Sequence, residues 1–225
     1  MELMVFDEVL ELAKSVRHFT IAGEGNVSVR DGDSMLIKAS GSTLETMTDQ
    51  DLVRCDLDGK VFEDEEKKPS MEVSFHAWIL KSFPEINCVC HTHPTNTIKI
   101  LCSERTHDFA NKRLFPDQVV RNGTKSCVVP YATPGLPLRE EIKKSVEEFI
   151  RRNGFFPKLI LLNNHGIITA SASIQEAVVS TLMCEKSAEI YIGAKILNNV
   201  QFLTPEEVAA VDTNPSEKYR RELYK

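Results

Sequence analysis

The sequence predicts an α/β fold: one domain, residues 1–225, in which several antiparallel hairpins alternate with amphipathic helices. Helical and strand-like hydrophobic periods follow one another along the chain, and turn signals rich in Gly and Asp join the strand-like runs. No internal repeat, low-complexity tract or linker composition divides the chain. With 42% hydrophobic and 27% charged residues the composition excludes disorder and collagen-like architectures. A domain of this size buries roughly 70–75% of its extended surface, so any metal here needs a chemical reason rather than a folding one.

Phe6, Val9, Leu10, Leu12, Ala13 and Val16 follow the helical period and predict a first helix over Phe6–Phe19, ending before Gly23-Glu24-Gly25. Asn26–Arg30 and Met35–Ala39 flank an Asp31-Gly32-Asp33 turn and read as a hairpin. Leu52–Leu57 and Lys60–Phe62 around Asp58-Gly59 read as a second antiparallel pair. The acidic run Glu63–Glu66 before Lys67-Lys68 reads as a solvated loop. Pro69-Ser70 opens a helix from Met71 to about Ser82, with Ser70 as its cap. Ile86–Thr92 is a buried strand, Pro94–Leu101 a short helix, and Cys127–Val129 a strand. Leu138–Arg152 forms an amphipathic helix stopped by Asn153-Gly154. Lys158–Leu162 and Ile167–Ala170 are strands flanking Asn163-Asn164-His165-Gly166, Ile174–Leu197 is the last long helix, and Pro205 starts a short one. Ser103–Thr124 carries no clear period and reads as a functional loop.

The formal net charge of −6 argues against nucleic acid as the main partner, while a locally basic site for an anionic small molecule stays open. The N-terminal residues lack a basic segment followed by a long apolar run, and no stretch approaches the roughly 20 residues of a membrane span. A cytoplasmic protein is expected. The six cysteines include no C-x-x-C pair and read as buried thiols rather than disulfides or ligands.

Cys88-Val89-Cys90-His91-Thr92-His93-Pro94 carries the chemistry. In a strand, His91 and His93 share one face and the cysteines the other, so the two imidazoles either clamp a cation or bond to neighbours at a strand end. Zinc suits imidazole and carboxylate ligands. His165, in the turn before Gly166, offers a third ligand. Glu72, at a helix start where the dipole favours a carboxylate, fits either a fourth ligand or a capping residue. His76 follows four residues later and reads as structural. Gly23–Ser28 and Ala39–Thr43 present small residues able to offer backbone N–H groups to an anion, although two hairpin turns explain them equally well. No G-x-G-x-x-G, Walker or G-x-S-x-G pattern is present.

Taken in order, Gly25-Asn26-Val27-Ser28, Ser40-Gly41, Pro69-Ser70-Met71-Glu72, His91-Thr92-His93-Pro94 and Asn164-His165-Gly166 resemble the class II aldolase/adducin family, from the first helix to about Leu197. The resemblance implies a central, largely antiparallel sheet flanked by helices, and a homotetramer with interfacial active sites. It places zinc, or another divalent metal, on Glu72, His91, His93 and His165, with Glu72 as the catalytic base. It places a sugar phosphate among Asn26, Ser28, Ser40, Gly41 and Ser70. The activity implied is that of fuculose-1-phosphate and rhamnulose-1-phosphate aldolases, which cleave a phosphorylated ketose to dihydroxyacetone phosphate and an aldehyde. Dehydratases, epimerases and decarboxylases of the same scaffold, and a non-catalytic adducin-like interaction domain, are the alternatives. His93–Asn96 and Phe115–Asp117 look more like the rhamnulose branch. Two features depart from the pattern: Met71 replaces a serine, and Ser103–Val120 lacks the tyrosine that fuculose-type enzymes use as proton donor, leaving Asp108, Asp117 or a residue from elsewhere as candidates.

Overall fold

The computed structural model describes residues 2–62, 66–197 and 199–223. Of the acidic run, Glu63–Glu65 lie outside the described residues. The strands are β1 (Asn26–Asp31), β2 (Ser34–Lys38), β3 (Leu52–Asp56), β4 (Cys88–Thr92), β5 (Cys127–Val129), β6 (Leu159–Leu162) and β7 (Gly166–Ser171). They form one sheet in the order β3-β2-β1-β4-β7-β6-β5, and every neighbouring pair is antiparallel except β5 with β6. The largely antiparallel sheet is the one expected. Asp31 pairs with Ser34, so Gly32-Asp33 closes a two-residue hairpin. The second pair shrinks to a single bridge between Cys55 and Val61, because Asp56 turns the chain by accepting the N–H groups of Asp58 and Lys60 on its carboxylate.

β4 and β7 lie at the centre and are buried throughout, which explains their nearly continuous apolar runs. One face is covered by α1 (Glu2–Val16) and α7 (Ile174–Ile196), whose Leu12, Val16 and Ala177 pack with Val27, Val29, Cys88 and Cys90. The other is covered by α2 (Val73–Ser82) and α6 (Leu136–Asn153), where Phe75, Ile79, Leu138 and Ile142 meet Ile37, Val53, Val89 and Ile168. Cys88 and Cys90 therefore sit opposite Val89, as strand alternation requires. None of the six cysteines is in a disulfide; five are buried as expected, whereas Cys102 is exposed.

The segment 103–124 is not a loop. It contains α4 (Thr106–Asn111) and α5 (Pro116–Asn122), of six and seven residues. Each is shorter than the windows in which helical periodicity becomes legible, although Pro116 at a helix start was a local sign. The remaining helices are α3 (Thr95–Leu101), α8 (Pro205–Thr213) and α9 (Pro215–Glu222). Among the described residues no helix is long and apolar enough to cross a membrane.

Candidate metal centre

Three histidines converge where β4 ends and β7 begins. His91 lies in β4, paired with Asn26 of β1 and Ile168 of β7. His93 follows the strand, its N–H donating to the Phe19 carbonyl at 3.1 Å. His165 stands in the β6–β7 turn after Asn164, whose φ of 55° is a left-handed conformation that asparagine tolerates. Gly166 admits the close approach: a Cβ there would lie 2.5 Å from the Thr92 carbonyl oxygen and 2.6 Å from His93 Cδ2. Ring centroids are separated by 4.8 Å for His91–His93, 4.8 Å for His91–His165 and 5.1 Å for His93–His165.

His91 Nδ1 is 2.9 Å from the Ile167 carbonyl, which can only accept, so Nδ1 carries the hydrogen and Nε2 presents its lone pair. That Nε2 lies 3.0 Å from His93 Nε2. Burial, reinforced by the neighbouring His165, pushes the His91 pKa down to about 3. Burial and His91 push His93 down to about 4. Both are therefore neutral at neutral pH, the state a metal requires.

Glu72 occupies the cap position of α2, which begins at Val73 rather than Met71, and its side chain makes no capping bond. Ser70 instead accepts the Glu72 N–H on its hydroxyl at 3.3 Å. Glu72 Oε2 accepts from Asn26 Nδ2 at 2.8 Å and lies 3.3 Å from His91 Nε2. Oε1 lies 3.5 Å from His165 Nε2 and is buried without a hydrogen bond. An acceptor-only oxygen orphaned beside three neutral imidazoles fits a divalent cation of the kind imidazole and carboxylate hold.

Glu72, His93 and His165 line a cleft of about 230 Å³ together with Asn26, Ser40, Gly41 and Ser70. His91 is fully buried and does not itself line the cleft. Ser28 stands apart, fully buried, its hydroxyl 2.7 Å from His76 Nδ1. β1 alternation puts Ser28 on the same face as Asn26 but roughly 6.6 Å further along, under α2, so it offers nothing to a ligand in the cleft. His76 is structural, as expected, and it also orients Asn26. Its Nε2–H donates to Asn26 Oδ1 at 2.5 Å, which leaves the amide nitrogen for Glu72. Asp108 pairs with Lys112 at 2.8 Å and Asp117 with Arg220 at 3.0 Å, and neither lines the cleft.

Two charged lining residues escape sequence reasoning. Lys38, at the end of β2, is only 2% exposed, and its Nζ donates to the Gly23 carbonyl at 3.2 Å. Burial holds its pKa below the usual lysine value, opposed by Asp51 and Glu72. A lysine closing the apolar run Met35-Leu36-Ile37 was the available signal. The other is Glu24, whose Oε2 lies 3.5 Å from His93 Nδ1.

Burial lowers the pKa of His76, His91, His93 and His165 alike. The unfolded chain therefore binds more protons as pH falls below about 6.5, and stability present above that value is lost toward acid. Thermal unfolding of chelator-treated protein should move to lower temperature between pH 7 and 5.5, where carboxylates scarcely titrate. An unchanged transition over that range would contradict neutral burial of these rings.

Residues 8–192 match the Class II Aldolase and Adducin N-terminal domain. The chain is 32% identical over 197 residues to the 3-oxo-tetronate 4-phosphate decarboxylase of Haemophilus influenzae, covering 85% of this chain and 87% of that one. It is 29% identical over 202 residues to the L-fuculose phosphate aldolase of Methanococcus maripaludis, covering 89% and 100%. The solved structure of Escherichia coli YgbL, named for three candidate activities (aldolase, epimerase and decarboxylase), superposes with a TM-score of 0.79 at 25% identity, covering 94% of this chain and 99% of YgbL.

Proposed function

The chain belongs to the class II aldolase and adducin family, and on that footing we propose that it is a metal-dependent lyase, with zinc as the ion. In this reading it reversibly cleaves a ketose 1-phosphate of the fuculose or rhamnulose type to dihydroxyacetone phosphate and an aldehyde. The supporting observation is the convergence of three imidazoles and an orphaned carboxylate oxygen at a cleft lined by Lys38 and small polar residues. A divalent cation held by His91, His93 and His165, with Glu72 completing the set in the substrate-free protein, would act as a Lewis acid toward the ketose carbonyl and its neighbouring hydroxyl.

The chain's own residues then have separable tasks. Glu72 takes the proton from the hydroxyl that becomes the aldehyde oxygen. The electron pair of the breaking carbon–carbon bond stays with the ketone-bearing fragment, and Glu72 returns the proton to carbon. Asn26, fixed by His76, sets where that carboxylate starts. The phosphate falls to the hydroxyls of Ser40 and Ser70 and the backbone at Gly41, with Lys38 supplying positive charge. Met71, exposed at the rim, has no donor to add. The reading includes a cytoplasmic homotetramer, for which exposed Ile190, Ile196 and Leu197 offer an apolar face and a light-scattering mass of four chains is the check.

Lys38 also favours a second reading, decarboxylation of a phosphorylated 3-oxo acid, because such a substrate carries two anionic groups. Loss of carbon dioxide leaves the electron pair at the same position relative to the carbonyl, so the same metal and proton carrier serve. Product analysis by mass spectrometry with a coupled reductase separates the two. L-fuculose 1-phosphate and L-rhamnulose 1-phosphate should give dihydroxyacetone phosphate plus lactaldehyde. Carbon dioxide from 3-oxo-tetronate 4-phosphate, with both ketoses untouched, would replace the aldolase by the decarboxylase. A dehydrated six-carbon product, a 4-epimer, or no turnover of all three by metal-loaded protein would contradict both.

A further inference from the structure

The three imidazoles are not equally secured. His91 has its tautomer fixed by a carbonyl, whereas the Nδ1 of His93 faces the loop before β1, where Glu24 stands. That loop is tied to β4 at both ends: His93 N–H bonds the Phe19 carbonyl, and Gly25 packs so closely that a Cβ would lie 2.8 Å from the His91 carbonyl oxygen. Between these anchors Ala22 and Gly23 take positive φ values of 50° and 89° and turn Glu24 into the cleft. Its Oε2 is steadied at 3.1 Å by the Ile21 N–H and lies 3.5 Å from His93 Nδ1, a gap that a small rotation of either side chain closes.

We propose that Glu24 is a positioning residue for His93 in the metal-loaded protein: an ion between the imidazoles replaces the contact of His93 Nε2 with His91 Nε2 at 3.0 Å, the ring then carries its hydrogen on Nδ1, and the Glu24 carboxylate accepts it. In neutral imidazole only one nitrogen carries hydrogen, so an acceptor at Nδ1 decides which nitrogen can ligate. Carboxylates that hold metal-binding histidines in this way raise ligand basicity as well as orienting the ring. The same carboxylate reassigns the glycine-flanked loop. A fixed negative charge there repels a phosphate, so the anion belongs on the opposite rim, with Ser40, Gly41, Ser70 and Lys38.

This inference rests on the proposed function, because without an ion His93 Nε2–H donates to His91 Nε2. Histidine side chains labelled with ¹⁵N report the tautomer directly, with His93 assigned from a His93→Gln spectrum, and zinc should move the His93 hydrogen from Nε2 to Nδ1. In zinc-loaded wild type and Glu24→Gln, whose amide oxygen still accepts, the Nδ1–H resonance should be shifted downfield and protected from exchange, and Glu24→Ala should lose both signs while His91 is unchanged. Glu24 is half-exposed, so both variants should fold. Zinc dissociation constants from chelator competition should weaken about 10- to 100-fold in Glu24→Ala, with Glu24→Gln closer to wild type. An unchanged His93 Nδ1–H resonance and zinc affinity in Glu24→Ala would overturn the assignment. Wild type that binds no zinc would instead remove the metal reading, and this role of Glu24 with it.

Discussion

Glu72→Gln should lower turnover about 10²- to 10⁴-fold while the protein keeps most of its metal through the three histidines. The amide matches the carboxylate in shape, and its oxygen still accepts the hydrogen bond that Asn26 Nδ2 gives Glu72 Oε2 at 2.8 Å. What it lacks is a group that takes up a proton. Because the loss is chemical rather than architectural, it should appear in kcat at verified metal loading, with thermal stability little changed. Turnover near that of wild type would take the role of base away from Glu72.

The second large effect is expected from one added methyl group. In Gly166→Ala the new Cβ would stand 2.5 Å from the Thr92 carbonyl oxygen, 2.6 Å from His93 Cδ2 and 3.3 Å from His91 Cε1. None of these is the far end of a flexible side chain. β7 must therefore move away from β4 just where Thr92 pairs with Ile167, or both rings must turn. Overpacking of this kind costs about 1–3 kcal/mol, and each kcal/mol corresponds to about 2–4 °C in a chain of this size. A fall in Tm of metal-free protein, together with weaker zinc binding, is expected. Wild-type values for both would mean that the corner between the two strands is looser than its packing implies.

What the sequence made legible follows from short-range periodicity. The two-residue strand repeat put His91 and His93 together and the cysteines opposite, and the turn before Gly166 marked His165 as rigidly held. Where depth or register decides, the same reasoning fails. Alternation puts Ser28 on the face of Asn26, but only the packing of α2 reveals that His76 covers it. The sequence starts α2 at Met71, two residues before its first helical residue Val73, and so blurs a cap with a carboxylate aimed at the imidazoles. Lys38 and Glu24 each lie in a segment read as hairpin or turn, and nothing local announces that β2 and the loop before β1 meet at one cleft. α4 and α5 leave no period in the sequence because helices of six and seven residues complete fewer than two turns.

Elemental analysis of purified protein, paired across three chains, tests the metal centre most directly. Wild type should carry one divalent ion per chain, zinc by preference. Cys88→Ser/Cys90→Ser should keep it, since these thiols face α1 and α7, and burial raises the pKa of both, that of Cys90 to about 12. His91→Ala/His93→Ala should lose it. Equal metal in wild type and the histidine variant would contradict the account, because the ion would then be held somewhere other than the corner that β4, β7 and Glu72 build.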